Sequence, residues 1–403
     1  MPSRNRKKGR RVGLALAAGG MLGGIYEVGA LRALEEAIDG LDLNRLDVYV
    51  GVSAGAFVGA HLVNGITVTE LLRGLRADPA DGWQAKVFDP AIFYVPAFRE
   101  VGRLGLQLPW TVTEVLAQLL AGAEHSSLAG SIEGLGAMLP LSLFDNEAIR
   151  DYLHKLFTRP GMTDDFRELP RQLLVMATDI DTGGAVVFGR RGLDHVPISR
   201  AVQASTAVPG LYQPVEVEGF CCVDGVLLKT MHATVALGQG ADLLFAVNPL
   251  VPWNTDTADP QEAMGRKAIL RSGLPALLSQ CFRILIHSRV AMGIERAARN
   301  YPNADLVLFE PESTEHRLFT NLFRFHSRRQ VCAIGYEQTR KSLWSRRRTL
   351  GPILEKHGLA LRLEVLADPY RSVWDCLGPS RRENRSVAEQ LDAALRSLEA
   401  RFS

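Results

Sequence analysis

The sequence predicts an α/β protein built on a mainly parallel sheet covered by helices. Two strand–loop–helix units follow one another near the start, Val12 to Ile38 and Val48 to Val63, each with glycine at the strand-to-helix junction. Short apolar runs of strand length recur later, at 173–178, 185–188, 220–223, 243–247 and 305–309. Hydrophobic residues make up 47% of the chain and charged residues 22%, enough apolar side chain for a sizeable core.

The elements read in order. Residues 1–11 form a basic tail, and 12–17 a short buried strand. Residues 19–24 make a glycine turn, and 25–38 a helix with Ile25, Val28, Leu31, Leu34 and Ile38 at helical spacing. Asp39-Gly40 ends that helix. A second strand at 48–50 leads to a helix at 54–63, closed by Asn64-Gly65. From 78 to 143 strand signals fade among Gly, Pro and aromatic residues, which reads as a helical and loop insertion or cap. The sheet then resumes, with a short helix at 198–204. The expected organisation is a basic tail (1–11), a catalytic body (12–310) holding the 78–143 insertion, and a helical, basic C-terminal extension (311–403).

Several function classes are disfavoured. A net charge of +2 argues against nucleic acid as a main partner. Five cysteines, Cys221, Cys222, Cys281, Cys332 and Cys376, show no CxxC spacing, so neither a zinc site nor a disulfide framework is expected. The start resembles a signal peptide, but its apolar run is short, is broken by Gly13, and is needed as the strand leading into the glycine turn. No run reaches the ~18 apolar residues of a membrane span. The expected setting is cytoplasmic, with peripheral contact at a membrane surface.

The chemistry centres on Gly51-Val52-Ser53-Ala54-Gly55, which follows a strand and opens a helix. That is the setting of a nucleophile elbow, in which glycines permit a tight turn and the serine sits at a helix N-terminus. A small-residue strand–helix turn is the plainer alternative. The segment from Ala18 to Gly24 is a second loop opening a helix, able to present N–H groups to an anion. A dinucleotide fingerprint fits it poorly, because the next strand ends in Ser53 where a ribose-binding carboxylate belongs. An oxyanion-stabilising role for Gly19, Gly20, Gly23 and Gly24 fits better. The nucleophile needs a base. A Ser–Asp–His order can be written with His232, but Ser53 comes earlier in the chain than the elbow of that triad fold. Asp224, at a strand end before Gly225, is the remaining candidate; in a low-dielectric site a carboxylate is basic enough to take the serine proton directly.

A glycine loop, GxSxG after the second strand, and Asp-Gly about 170 residues further on together resemble the patatin-like phospholipases. The likeness extends to Ala177–Gly183 and Ala204–Gly210, and spans roughly Arg11 to Pro249. It implies a three-layer α/β/α sandwich, a Ser–Asp dyad without histidine, and no metal or cofactor. Ser53 matches the nucleophile, Asp224 the base, and Gly19, Gly20, Gly23 and Gly24 the oxyanion loop. Gly51, Gly55 and Gly225 support the motifs. The substrate implied is a lipid or phospholipid ester, cleaved through an acyl-Ser53 intermediate. A catalytically silent lipid- or protein-binding module on the same fold, or a transacylase, are the alternatives. Two differences from the family pattern stand out: Met21 interrupts the glycine run with no basic residue after it, and Val226 follows Asp-Gly.

Other signals admit two readings each. Asp179 and Asp181 form either a metal pair or, more simply, a turn. Trp83, Phe93, Phe98 and Trp110 make either a lipid-facing cap or a small aromatic core. The arginines and lysine between Arg317 and Arg348 either meet anionic headgroups or belong to a helix pair packed on the main body.

Overall fold

In the computed structural model, residues 10–76, 87–97, 142–254, 266–271, 273–315, 318 and 328–378 are described. In chain order the strands are β1 (Val12–Leu16), β2 (Ile38–Asp39), β3 (Val48–Val52), β4 (Gln172–Asp179), β5 (Ala185–Phe188), β6 (Val215–Val217), β7 (Phe220–Asp224), β8 (Leu243–Val247), β9 (Asp305–Phe309) and β10 (Ala360–Leu361). The α-helices are α1 (Gly20–Ala37), α2 (Ala54–Val63), α3 (Val68–Arg76), α4 (Glu147–Phe157), α5 (Ile198–Ser205), α6 (Ala233–Gly238), α7 (Arg266–Arg271), α8 (Gly273–Asn300), α9 (Arg328–Ser345), α10 (Arg347–Lys356) and α11 (Leu363–Ala367).

The main sheet runs β6-β7-β4-β3-β1-β8-β9, with β5 paired to β4. Its centre is parallel: β1 pairs β3 and β8, β3 pairs β4, and β8 pairs β9. The end that carries β5, β6 and β7 is antiparallel. Strands β1, β3 and β8 are buried at every position, because helices cover both faces. The two-residue period of a strand sorts the core. Leu14, Leu16, Tyr49 and Phe245 face α1 and α2, whereas Ala15, Ala17, Val50 and Ala246 face α6 and α8. This is the expected three-layer α/β/α sandwich.

The segment beyond residue 310 shares this core. Helix α9 crosses α1 with almost no space between the backbones. A Cβ on Gly29 would lie 2.0 Å from the Cys332 oxygen, and one on Gly335 would lie 2.2 Å from the Tyr26 oxygen. Cys332, Ile334 and Tyr336 are buried there, and the Tyr336 hydroxyl donates to Glu36 at 3.0 Å. Strand β10 pairs antiparallel with β2 at the end of α1. The described part of the extension therefore completes the layer over one face of the sheet.

Most of the expected cap, including Trp83, Phe98 and Trp110, lies outside the described residues, as do residues 1–9 of the basic tail. Phe93 is buried and packs edge-on against Phe57, its ring centroid 5.3 Å away, so it serves a small aromatic core. Gly335→Ala should cost about 3 kcal/mol in urea unfolding, since neither backbone can retreat from the added methyl. Gly293→Ala, in α8 with open space around it, should instead raise stability by about 0.5 kcal/mol.

Candidate active site

Ser53 sits between β3 and α2 with φ 54° and ψ −122°, a conformation that L-residues rarely adopt. Two glycines make the turn feasible. A Cβ on Gly51 would fall 2.4 Å from the Ala56 Cα, and one on Gly55 would fall 2.5 Å from the Leu16 oxygen. The elbow therefore folds flat against α2 and against β1.

Asp224 reaches the same place from the other end of the sheet. Strand β4 lies between β3 and β7, with Met176 paired to Val52 and Ala177 paired to Asp224. Because β7 runs antiparallel to β4, its last residue arrives at the level where β3 ends. Gly225 then turns across β4: its Cβ would lie 2.5 Å from the Met176 oxygen and 3.0 Å from Val52 Cγ1. The glycine is what lets the chain carrying Asp224 pass so close to the elbow.

One segment holds both residues. The Ser53 N–H donates to Ser205 Oγ at 2.8 Å, and Ser205 in turn donates to the Met176 carbonyl at 2.6 Å. Two residues on, the Ala207 carbonyl accepts from the Asp224 N–H at 2.9 Å. Ser205 belongs to the 204–210 stretch singled out in the sequence, where no role was assigned to it. A serine ending a helix carries no pattern of its own, so only the fold exposes this one.

Asp224 is fully buried, and burial pushes its pKa up from 3.8 to about 7. The Ser53 hydroxyl and the Val226 N–H oppose that rise. Oδ1 accepts from Val226 N–H at 2.8 Å, while Oδ2 has no partner in full hydrogen-bond geometry. Ser53 thus lies near enough to influence the carboxyl without closing a well-formed bond to it. His232 is buried as well, and burial followed by the Lys229 charge holds its pKa down to about 3, so the ring is neutral. Among the described residues no hydrogen bond joins it to Ser53 or Asp224, and its Nε2 has no partner.

The glycine loop is shorter than its sequence suggests. Helix α1 begins at Gly20, with Gly19 as its N-cap and Gly20 at φ 59°. Gly23 and Gly24 are thus helical, a correction to the expected turn over 19–24. The Gly23 N–H is already committed to the Gly19 carbonyl at 3.0 Å, and the Ala18 N–H to the Thr230 carbonyl at 3.1 Å. Gly23 and Gly24 matter for close packing: a Cβ on Gly23 would lie 3.0 Å from Pro249, and one on Gly24 would lie 3.3 Å from the Ala54 Cβ. That last contact sets the first turns of α1 and α2 side by side. Neither first turn carries an acidic side chain, so two helix N-termini offer their positive ends to the region of Ser53.

Deeper in α1, Glu27 is buried with neither carboxyl oxygen hydrogen-bonded, and burial raises its pKa well above the usual range against the Ala17 N–H. Burial thus favours the neutral form of this carboxyl beside the end of β1. Asp179 takes the turn reading: it accepts from the Thr182 hydroxyl at 2.7 Å and from the Cys221 N–H at 3.2 Å, while Asp181 is exposed. Among the described residues no group of His, Cys, Asp or Glu is placed to hold a metal.

A serine on a strand-to-helix elbow above a mainly parallel sheet, facing helix N-termini, is a layout suited to acyl transfer. The profile of the patatin-like phospholipase family matches residues 14–237, more than half of the chain, and the protein belongs to that family. The family supports lipid acyl hydrolysis as the general class of activity. Uncharacterised NTE-family proteins of Mycobacterium bovis and Mycobacterium tuberculosis are 37% identical to it over 81 residues, 20% of this chain and 21% of theirs. The match thus spans about one fifth of the length of these curated relatives. Among solved structures, VipD of Legionella pneumophila aligns over 83% of this chain and 67% of its own, at 17% identity and TM-score 0.36. ExoU of Pseudomonas aeruginosa, in complex with SpcU, aligns over 72% and 52%, at 15% identity and TM-score 0.27.

Two expectations follow from this geometry. Ser205→Ala strands the buried Ser53 N–H and should cost about 1–3 kcal/mol in urea unfolding. Asp224 favours its neutral form in the fold, so its contribution to stability is complete below pH 3.8 and is lost as pH rises through about 7. Asp224→Asn should therefore unfold at higher urea than the unaltered protein near pH 8, with the gap closing toward pH 4; a gap that widens on acidification contradicts the burial argument.

Proposed function

We propose that the protein is a serine lipid acyl hydrolase in which Ser53 is the nucleophile and Asp224 its base. The observation that carries this reading is the shared clamp: residues 205–207 hold the backbones of both Ser53 and Asp224, and the carboxyl so held has a pKa of about 7. A buried carboxylate of that basicity takes the Ser53 hydroxyl proton as the oxygen attacks the ester carbonyl. Negative charge builds on the carbonyl oxygen near the first turns of α1 and α2, where Gly19 and Gly20 are the backbone donors we favour. Asp224 then returns the proton to the departing alcohol, leaving acyl-Ser53. Water, deprotonated by the same carboxylate, releases the fatty acid and restores the serine.

The substrate class in this reading is a carboxylic ester of a lipid or phospholipid, and the reaction needs no metal or cofactor. A cytoplasmic protein meeting membranes only at their surface belongs to the same proposal; no described helix is long and apolar enough to cross a bilayer. The catalytic unit in this view is 12–310, with α9 closing its core.

A fluorophosphonate probe should label the protein on Ser53 and leave Ser53→Ala unlabelled; an adduct that persists in the alanine variant sinks the assignment. With a nitrophenyl ester, kcat/KM should climb as pH rises through about 7, because only ionised Asp224 accepts the proton. Asp224→Asn should lose several orders of magnitude in kcat, whereas His232→Ala should lose little once folding is verified. Equal damage from the two changes restores the triad, and labelling without turnover of any ester favours a silent binding module.

A further inference from the structure

Helix α8 has two apolar faces where a helix on a sandwich surface requires one. Ile286, Val290 and Ala297 are buried in the cluster that contains Val226 and Met231. At 3.6 residues per turn these three share one side, and Leu277, Ile284, Leu285 and Met292 gather on the opposite side in an arc roughly 100° wide. The second group faces solvent, from 41% exposure at Leu277 to 57% at Met292. Phe282, 47% exposed, lies roughly 60° beyond the arc toward the buried side, and Leu270 of α7 is 61% exposed. Six of the twelve exposed large apolar side chains among the described residues thus fall between Leu270 and Met292, which makes a patch rather than scatter.

The charge around the patch is mainly positive, although Glu295 falls at the angle of Leu277 within the arc. Arg271, Arg289, Arg296 and Arg299 are exposed, and Glu295 is the single acidic residue between 266 and 300. The patch also connects to the candidate site. Arg289 donates to the Leu227 carbonyl, three residues past Asp224, and the buried face of α8 packs on that same segment.

We propose that the outward face of α8 is the surface on which the protein docks to an anionic lipid bilayer. Ile284, Leu285 and Met292 enter the headgroup boundary, and Arg296 and Arg299 meet lipid phosphates. An apolar arc flanked by arginines fits that surface better than it fits a second copy, because a two-fold pairing sets like charges opposite one another. The proposal rests on the lipid hydrolase reading above, and it gives that reading a geometry: docking through α8 brings the chain segment carrying Asp224 toward the bilayer that supplies the substrate.

Sedimentation with vesicles of phosphatidylcholine and phosphatidylglycerol, in a ratio of roughly 3:1, tests it. Ile284→Glu with Met292→Glu should weaken binding by about tenfold or more, while hydrolysis of soluble nitrophenyl butyrate stays unchanged. Arg296→Gln with Arg299→Gln should weaken binding to these vesicles and leave binding to pure phosphatidylcholine vesicles as it was. Undiminished binding by the glutamate variant overturns the proposal, as does an unaltered protein that ignores the vesicles. A dimer in light scattering that the glutamate changes convert to monomer also overturns it, and assigns the face to a second copy. Absence of butyrate hydrolysis in the unaltered protein counts against the hydrolase reading alone, since the vesicle measurement is scored without turnover.

Discussion

The burial of a single carboxyl, Asp224, imposes most of what surrounds it. A carboxyl fully out of water, with no cation beside it among the described residues, favours the neutral form, and its pKa rises to about 7. Such a group stays in place only if the chain around it is rigidly held. The Ala207 carbonyl takes its N–H, Val226 donates to Oδ1, and Gly225 lets the backbone cross β4 at close range. Strand β7 runs antiparallel to β4, and its last residue pairs with Ala177, one position beyond the Met176 level at which β3 ends.

Ser53 shows the complementary arrangement. Its backbone is forced to φ 54°, and the cost of that conformation is borne by the packing of Gly51 on Ala56 and Gly55 on Leu16. Neither helix at the site carries an acidic side chain in its first turn, so no carboxylate of their own offsets the positive ends of α1 and α2. The serine and the carboxyl occupy different electrostatic surroundings: one caps the N-terminus of α2, the other is fully buried.

Much of this was legible in the amino-acid sequence, for identifiable reasons. The strands at 185–188, 243–247 and 305–309 coincide with those in the structure because short apolar runs between turn residues have few other ways to be buried. The turns that carry Ser53 and Asp224 were legible because glycines mark both. Strand β6 has only three residues after Pro214 and escaped notice. Helix α8 gave no clear period because apolar residues on two faces cancel the one-sided signal. Ser205 and Glu27 were invisible for a different reason: a polar residue in a helix ordinarily faces water, and only the fold reveals that these two do not. The basic run after residue 310 also changes meaning. Arg340 donates to the carbonyls of Val365 and Asp368, Lys341 pairs with Glu312, and Arg346 donates to the Leu308 carbonyl while its guanidinium lies over Phe309. Those side chains hold the C-terminal helices to the sandwich, whereas Arg317 and Arg324 lie outside the described residues.

The close crossing of α1 and α9 bears on how the chain reaches its fold. Helix α1 leaves the ribosome well before the partner that covers its glycine face, since Tyr336 and Glu36 are 300 residues apart in sequence. While the intervening chain is made, that face, with Gly29 at its centre, lacks its α9 partner. Contacts of such long sequence separation form late and slowly. A nascent chain halted before residue 328 would hold the elbow and its carboxyl yet expose an apolar helix face, a species prone to aggregation and to capture by chaperones.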